Sequence, residues 1–451
     1  MKEKSSFSGK IGFILAAAGS AVGLGNLWRF PYLAAKYGGG SFLLIYLVLA
    51  VTFGFALMVT EIAIGRKTGK SALYAFKDLN NKWGFIGVIA SAVPIIIIPY
   101  YCVIGGWVIK YAWVFLTGSA SKAVSDDYFT SFISQSGEPI LWLVIFILAT
   151  MIVILLGVNK GIENISKILM PLLVILSIII AVFVITRPGA KDGIIYYLKP
   201  ELSGLNGNAF LAALGQLFYS MSLAMGIMIT YGSYLPKDED IESSVRNIEI
   251  FDTGIAFLAG LMIVPSVFVF SGGDQAALQK GPTLMFITLP KVFDSMKGGH
   301  IIGAVFFVLV LFAALTSAIS LMETVVSIFV DRFGKSRKIV TICVTIYTIL
   351  MALPSSLGFG ILSGINIKGL SILDMFDFLS NSILMPVVAF LTCIFVGFVI
   401  KPKTITDEVL SSSKHFKSEK LYVVLIKYVS PILLILILVS SILDAFGINP
   451  L

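Results

Sequence analysis

Along most of this chain the apolar positions neither alternate nor recur on one face; they run on. Nearly unbroken Leu, Ile, Val, Phe and Ala fill stretches near 11–35, 41–65, 84–116, 140–158, 162–186, 207–234, 250–271, 300–330, 338–354, 371–400 and 421–446. A bilayer-crossing helix needs about 20 such residues, so the pattern predicts eleven transmembrane helices. The thinnest division is Asn159-Lys160-Gly161, between the fourth and fifth spans. The fold class that follows is all-α integral membrane, a single domain over 1–451.

Two spans depart from the plain pattern. The first contains Gly19-Ser-Ala-Val-Gly-Leu-Gly-Asn-Leu-Trp-Arg29, and the sixth contains Gly215-Gln-Leu-Phe-Tyr-Ser-Met-Ser-Leu-Ala-Met-Gly226. Glycine costs nearly 1 kcal/mol per residue in a helix relative to alanine. Close packing through small residues accounts for Gly19 and Gly23, but not for Asn26, Arg29, Gln216, Ser220 and Ser222 beside them. Non-helical backbone at membrane depth survives only where it lines a protein-enclosed cavity. The two segments lie five spans apart, an odd offset, so they run in opposite directions. That predicts two inverted five-helix repeats, 11–187 and 206–400, with discontinuous helices 1 and 6 and an additional helix at 421–446. An unwound helix frees N–H groups that suit a carboxylate and carbonyls that suit a hard cation.

Composition agrees: 57% of residues are hydrophobic and 13% charged, against about 25% charged in soluble domains. The formal net charge of +8 mostly reports topology. Lys2, Lys4 and Lys10, the Arg66 to Lys82 loop, Arg332 to Lys338, and Lys401 to Lys420 alternate onto one side, which the positive-inside rule makes cytoplasmic. The Asp126-Asp127 loop, the 274–297 loop and the C-terminus after Asp444 fall outside. No nucleic-acid partner is needed to explain the charge. Cys102, Cys343 and Cys393 sit in apolar runs, and His300 and His415 are isolated, so neither a disulfide framework nor a zinc cluster is expected. The N-terminal apolar stretch runs past Arg29, too far for a signal peptide. Gly65 to Ser71 is one residue short of a phosphate loop and follows a membrane helix.

At its interrupted spans the sequence resembles the neurotransmitter:sodium symporter family, in its bacterial amino-acid transporter branch. The matching stretches are Ala21-Val-Gly-Leu-Gly-Asn-Leu-Trp-Arg-Phe-Pro31, Gly38-Gly-Gly-Ser-Phe42, Glu61-Ile-Ala-Ile-Gly-Arg66 and Pro99-Tyr-Tyr101, then Gly215-Gln-Leu-Phe-Tyr-Ser220, Ile229-Thr-Tyr-Gly-Ser-Tyr234 and Ala314-Leu-Thr-Ser317. They cover spans one to ten in order. The resemblance implies the leucine-transporter fold, residence in a prokaryotic plasma membrane, and sodium-coupled import of an amino acid by alternating access. It implies two Na⁺ sites. The first takes the Ala21 carbonyl, Asn26, Ser220 and Asp252. The second takes the Gly19, Val22 and Ala313 carbonyls with Thr316 and Ser317. Thr316 and Ser317 could instead hydrogen-bond back to the preceding turn, as Ser and Thr do in membrane helices.

By the same resemblance the substrate carboxylate meets the Gly25 N–H and the Tyr101 hydroxyl, and its amino group meets Ala21, Tyr219, Ser220 and Ser222. The side-chain pocket is Ser20, Leu24, Ile97, Tyr219, Met225, Ser317, Ser320 and Leu321. That lining is mostly apolar, as in most small-molecule sites, and its added hydroxyls favour tyrosine among hydrophobic or aromatic amino acids. Arg29, Gln216 and Asp377 are implied as an outer gate, with Asp374 as an alternative partner, and Glu61 as structural support for freed N–H groups. Departures from the family pattern are Tyr219 in place of a common Phe, Ala224 in place of a Gly, and Ser20 with Ser320, which add polarity at the pocket's end; in span seven Asp252 stands where many relatives have Asn. A fixed carboxylate at Asp252, with Ala256 where chloride-dependent relatives carry Ser, implies chloride-independent transport in which Asp252 protonation matters after sodium leaves. An amino-acid-gated channel and a membrane amino-acid sensor of the same fold stay open as alternatives. No Ser/His or paired-carboxylate constellation supports an intramembrane enzyme.

Overall fold

The structure is a computed structural model of the chain, and it describes residues 6–271, 282–367 and 369–445. Lys2, Lys4, Asp274 with the first part of its loop, and the C-terminal residues from 446 lie outside the described residues. The fold is helical throughout, with no β-strand among the described residues. The first span is two helices, α1 (Lys10–Ala21) and α2 (Gly25–Lys36), bent by 51° at their break. Then come α3 (Gly40–Thr68), α4 (Asn81–Leu116), α5 (Glu138–Leu155) and α6 (Val158–Ile185). The sixth span is again a pair, α7 (Gly207–Ser220) and α8 (Ile227–Gly232). It is followed by α9 (Ile241–Ser271), and by α10 (Gly299–Phe333), α11 (Arg337–Leu357), α12 (Ile372–Val399) and α13 (Glu419–Leu443).

Nine of these helices are each long and apolar enough to cross a membrane, and the bent α1–α2 pair makes a tenth crossing among the described residues. The eleventh expected span is the α7–α8 pair, whose halves of 14 and 6 residues are individually too short. The helix starting at Ile241 begins nine residues ahead of the sequence expectation of 250. Its extra turns are amphipathic: Ile241, Val245 and Ile248 are buried, while the Asp240 carboxylate accepts from the Ser243 N–H at 2.8 Å. Hydropathy alone does not register such an extension.

Burial separates centre from rim. In α4, 72% of the membrane window is buried inside the protein, against 33% in α6 and in α13. The outward faces of the latter carry Ile168, Ile175, Val182, Ile432 and Ile435, all exposed, which is the surface that lipid covers. α10 runs along α4 in the most extensive helix contact among the described residues, and α1 is packed among α6, α9 and α10. The short α8 lies on α3 at backbone distance. A Cβ added at Gly65 would stand 1.9 Å from the Ile229 carbonyl, and one at Gly232 would stand 2.4 Å from that of Ile62. Both interrupted spans are thus held in the centre, with their breaks facing one another.

Candidate functional site at the two helix breaks

The α1 helix stops at Ala21, where Val22 turns extended (φ −74°, ψ 98°). Asn26 tidies the break by accepting the Gly23 N–H on its side-chain oxygen at 3.2 Å. In the sixth span, α7 ends at Ser220 and the chain passes through three left-handed residues: Ser222 (φ 53°), Ala224 (φ 59°) and Gly226 (φ 71°). Glycine adopts this conformation freely, but Ser and Ala pay for it. Glu61 of α3 answers the exposed backbone there, its Oε1 accepting the Ala224 N–H at 2.7 Å.

Around Asp252 two of the expected first-site residues, Asn26 and Ser220, come together, while Ala21 lies in the pocket lining described below. The Asn26 amide donates to Asp252 Oδ1 at 2.8 Å and to its backbone carbonyl at 3.1 Å. The Ser220 hydroxyl donates to the same Oδ1 at 2.8 Å. A fourth member, Tyr46 of α3, is absent from the sequence expectation: its hydroxyl donates to Asp252 Oδ2 at 3.1 Å and lies 3.1 Å from the Ser220 hydroxyl. A buried tyrosine hydroxyl needs a partner, which the sequence signals, but nothing local names Asp252 as that partner.

The expected second-site residues also meet. Ser317 Oγ reaches across to the Ser20 carbonyl at 3.0 Å and to those of Gly19 and Val22 at 3.4 Å. Thr316 stays within its own helix, donating to the Phe312 carbonyl at 3.0 Å and the Ala313 carbonyl at 3.1 Å. The back-bonded geometry therefore describes Thr316, while Ser317 bridges two helices. Both sets are oxygen donors without imidazole or thiolate, the chemistry of a hard cation. No cluster of three or more His, Cys, Asp or Glu able to hold a metal occurs among the described residues.

Between the two sets lies a pocket lined by Ser20, Ala21, Leu24, Gly25, Ile97, Tyr101, Tyr219, Ser222, Met225, Ser317 and Leu321, with Gly23 and Ile227 added to the sequence expectation. The Tyr101 hydroxyl is buried there without a hydrogen-bond partner. At the far end Ser20 and Ser222 share a hydrogen bond of 3.1 Å. The pocket is narrow, because the Tyr219 ring comes within 2.5 Å of where a Gly25 Cβ would stand.

Several expectations need correction. The Ser220 hydroxyl faces Asp252, as the first-site expectation has it, and Ser220 does not line the pocket. Ser320 is not in it either, because its hydroxyl bonds back to the Thr316 carbonyl at 3.0 Å and accepts from Tyr231 at 2.8 Å. Arg29 and Asp377 form no ion pair within 4 Å among the described residues; Arg29 instead lies 5.5 Å from the centre of the Tyr219 ring. Asp377 takes uncharged donors, Asn381 at 2.6 Å and Tyr100 at 3.2 Å, the first of them one turn along its own helix. Gln216 ties α7 to α2, donating to the Gly25 carbonyl at 2.9 Å, rather than bridging Arg29 and Asp377. Asp374 caps its own helix with Ser371.

Comparison with known proteins agrees with this architecture. Residues 4–123 and 124–449 match the sodium:neurotransmitter symporter family. The chain is 35% identical to the uncharacterized sodium-dependent transporter YhdH of Bacillus subtilis over 97% of each chain. It is 33% identical to an uncharacterized sodium-dependent transporter of Haemophilus influenzae over 98% of each. The crystal structure of MhsT in complex with L-phenylalanine has a TM-score of 0.87 and 37% identity, covering 97% of this chain and 100% of that one. With its two broken helices facing one another in a multi-pass helical fold, this chain belongs to the sodium:neurotransmitter symporter family.

Proposed function

We propose that the protein imports a hydrophobic or aromatic amino acid, tyrosine favoured, together with two sodium ions, by alternating access and without chloride. Family membership makes it a sodium-dependent membrane transporter; the substrate, the ion count and the independence from chloride belong to the proposal. So does its placement in a prokaryotic plasma membrane with the N-terminus cytoplasmic and the C-terminus outside.

One observation carries the reading: two helix breaks meet at one apolar pocket, flanked by oxygen clusters at Asp252 and Ser317. That the Tyr101 hydroxyl is buried in this pocket, beside Gly25, without a partner supports a role in receiving the substrate carboxylate. Ile97, Met225 and Leu321 supply apolar walls. The Ser20–Ser222 pair is a polar spot among them that suits a phenol hydroxyl. MhsT, whose structure contains L-phenylalanine, supports an aromatic substrate. Asp252 supplies the fixed negative charge that a chloride ion would otherwise bring to the first cation.

In the transport step sodium fills the carbonyl clusters and favours the form open to the outside. Substrate then completes the first site and draws Tyr101 and Tyr219 closed over itself. Each ligand shifts the equilibrium only by its differential affinity for the two forms. A sodium ion crossing a potential of about 100 mV supplies about 2.3 kcal/mol, so two ions suffice to concentrate a neutral zwitterion.

Radiolabelled uptake into proteoliposomes, with all amino acids as competitors and Na⁺, K⁺ and Cl⁻ varied separately, tests this. The expected result is uptake that needs Na⁺, ignores Cl⁻ and is competed best by aromatic amino acids. Combined Thr316→Ala and Ser317→Ala substitution should abolish sodium dependence. Robust sodium-driven uptake by that double variant would overturn the second-site assignment.

A further inference from the structure

At the basic end of the molecule, away from the helix breaks, the short helix Ala72–Leu79 meets the start of α4 and the end of α10. A groove of about 540 Å³ opens there, with Tyr74, Lys77, Phe85, Val88 and Arg332 in its lining. We infer that this groove binds the headgroup and upper acyl chain of an anionic phospholipid of the cytoplasmic leaflet.

Charge is the first argument. Lys77 and Arg332 are both exposed, and neither has a carboxylate within 4 Å among the described residues. The acids next to them in sequence are engaged elsewhere: Asp78 pairs with Lys70, and Asp331 accepts the Ser71 N–H at 2.8 Å. Arg332 uses one N–H on the Tyr74 hydroxyl at 3.3 Å. Its remaining donors form a planar fork suited to a phosphate.

The second argument is what adjoins the cations. Phe85 and Val88, three residues apart on α4, are 47% and 59% exposed. They lie further along the membrane-crossing helix than the groove's polar rim at Asn81. A soluble anion would leave that apolar surface unused, whereas a lipid lays a phosphate against the cations and a chain against the rings. The Lys77 stem lies along the start of α4, its Cβ 3.0 Å from where a Gly84 Cβ would stand. The Lys77 methylenes thus lie against α4 while the residue stays exposed, the arrangement by which a lysine covers apolar surface and keeps its ammonium in water. A zwitterionic headgroup carries its own cation, so two unpaired basic groups favour a lipid of net negative charge such as phosphatidylglycerol.

Native mass spectrometry of the detergent-purified protein, offered equimolar phosphatidylglycerol and phosphatidylcholine, tests the site. Phosphatidylglycerol should be retained preferentially. A basic residue near a membrane surface contributes about fivefold in affinity, so Lys77→Gln with Arg332→Gln should lower retention about 25-fold. The charge-matched control Lys414→Gln with Lys420→Gln, exposed and outside the groove, should leave it unchanged. Equal retention of the two lipids, or equal loss in the control, overturns the site. Displacement of phosphatidylglycerol by glycerol phosphate at comparable concentration overturns the lipid as its occupant and assigns the groove to a soluble phosphate.

Discussion

The left-handed conformation at Ala224 (φ 59°) is the most local cost in this molecule. For an L-residue other than glycine it amounts to about 1–2 kcal/mol, and here it falls beside Gly226, which meets the same demand without penalty. The strained residue is also the one whose N–H is held by Glu61 at 2.7 Å, so a hydrogen bond helps to hold the unfavourable backbone in place. Ala224→Gly should therefore stabilise the protein by about 1 kcal/mol, the strain relief being partly offset by greater freedom of the unfolded chain. A rise in the thermal midpoint of the detergent-solubilised protein checks it; a fall would mean that the Ala224 methyl contributes packing worth more than the strain it imposes.

At the scale of elements, the sixth span is a helix in two pieces that depends on its neighbour α3. Glu61 is buried, uses Oε1 on Ala224 and leaves Oε2 without a partner. Glu61→Gln keeps an acceptor for the backbone and should fold. Glu61→Ala leaves a buried N–H unpaired, at a cost of about 1–3 kcal/mol, and should lower the thermal midpoint well below that of the Gln variant. Equal midpoints would show that the α7–α8 break does not need this contact. The breaks themselves are legible in the sequence, because glycine beside Asn, Gln and Ser in an apolar run has few physical explanations. What the sequence does not convey is which donors a side chain chooses among several within reach. Asp377 takes Asn381 and Tyr100 in place of Arg29, and Ser320 takes its own helix in place of the pocket. Tyr46 joins Asp252 from a span in which the sequence singles out Glu61 and its neighbours to Arg66 but not Tyr46. These choices are made by the relative placement of whole helices, and no local pattern encodes that.

At the scale of the whole molecule, the pocket is flanked by two different devices. On one side the partly buried Tyr219 has Arg29 5.5 Å from its ring centre. Towards the basic end the N-terminal segment is laced down over several helices. Phe7 is 2% exposed and packs edge-on against Phe13 and Tyr231 at 5.7 and 5.6 Å. Its N–H donates to the Tyr234 carbonyl at 3.1 Å. The Ser8 N–H reaches Glu163 at 2.8 Å, and the Lys10 N–H reaches Glu239 at 2.8 Å. Behind this plug, Glu323 holds the Tyr234 hydroxyl at 2.8 Å and pairs with Arg337. Under the proposed cycle this end must open, and Phe7 contributes to the closed form whatever burial it loses on opening. Removing a buried Phe ring costs about 3–5 kcal/mol, which is two or more powers of ten in a population ratio if the open form leaves the ring in water. Phe7→Ala should then speed amide hydrogen exchange in residues 6–13 and 227–235 while leaving residues 40–49 of α3 unchanged. Its apparent sodium affinity should fall, because sodium would first have to restore the closure that the ring no longer provides. Uniformly faster exchange would signal a general loss of stability, and unchanged exchange in the N-terminal segment would mean that the backbone bonds to Tyr234, Glu163 and Glu239 hold this end shut without the ring.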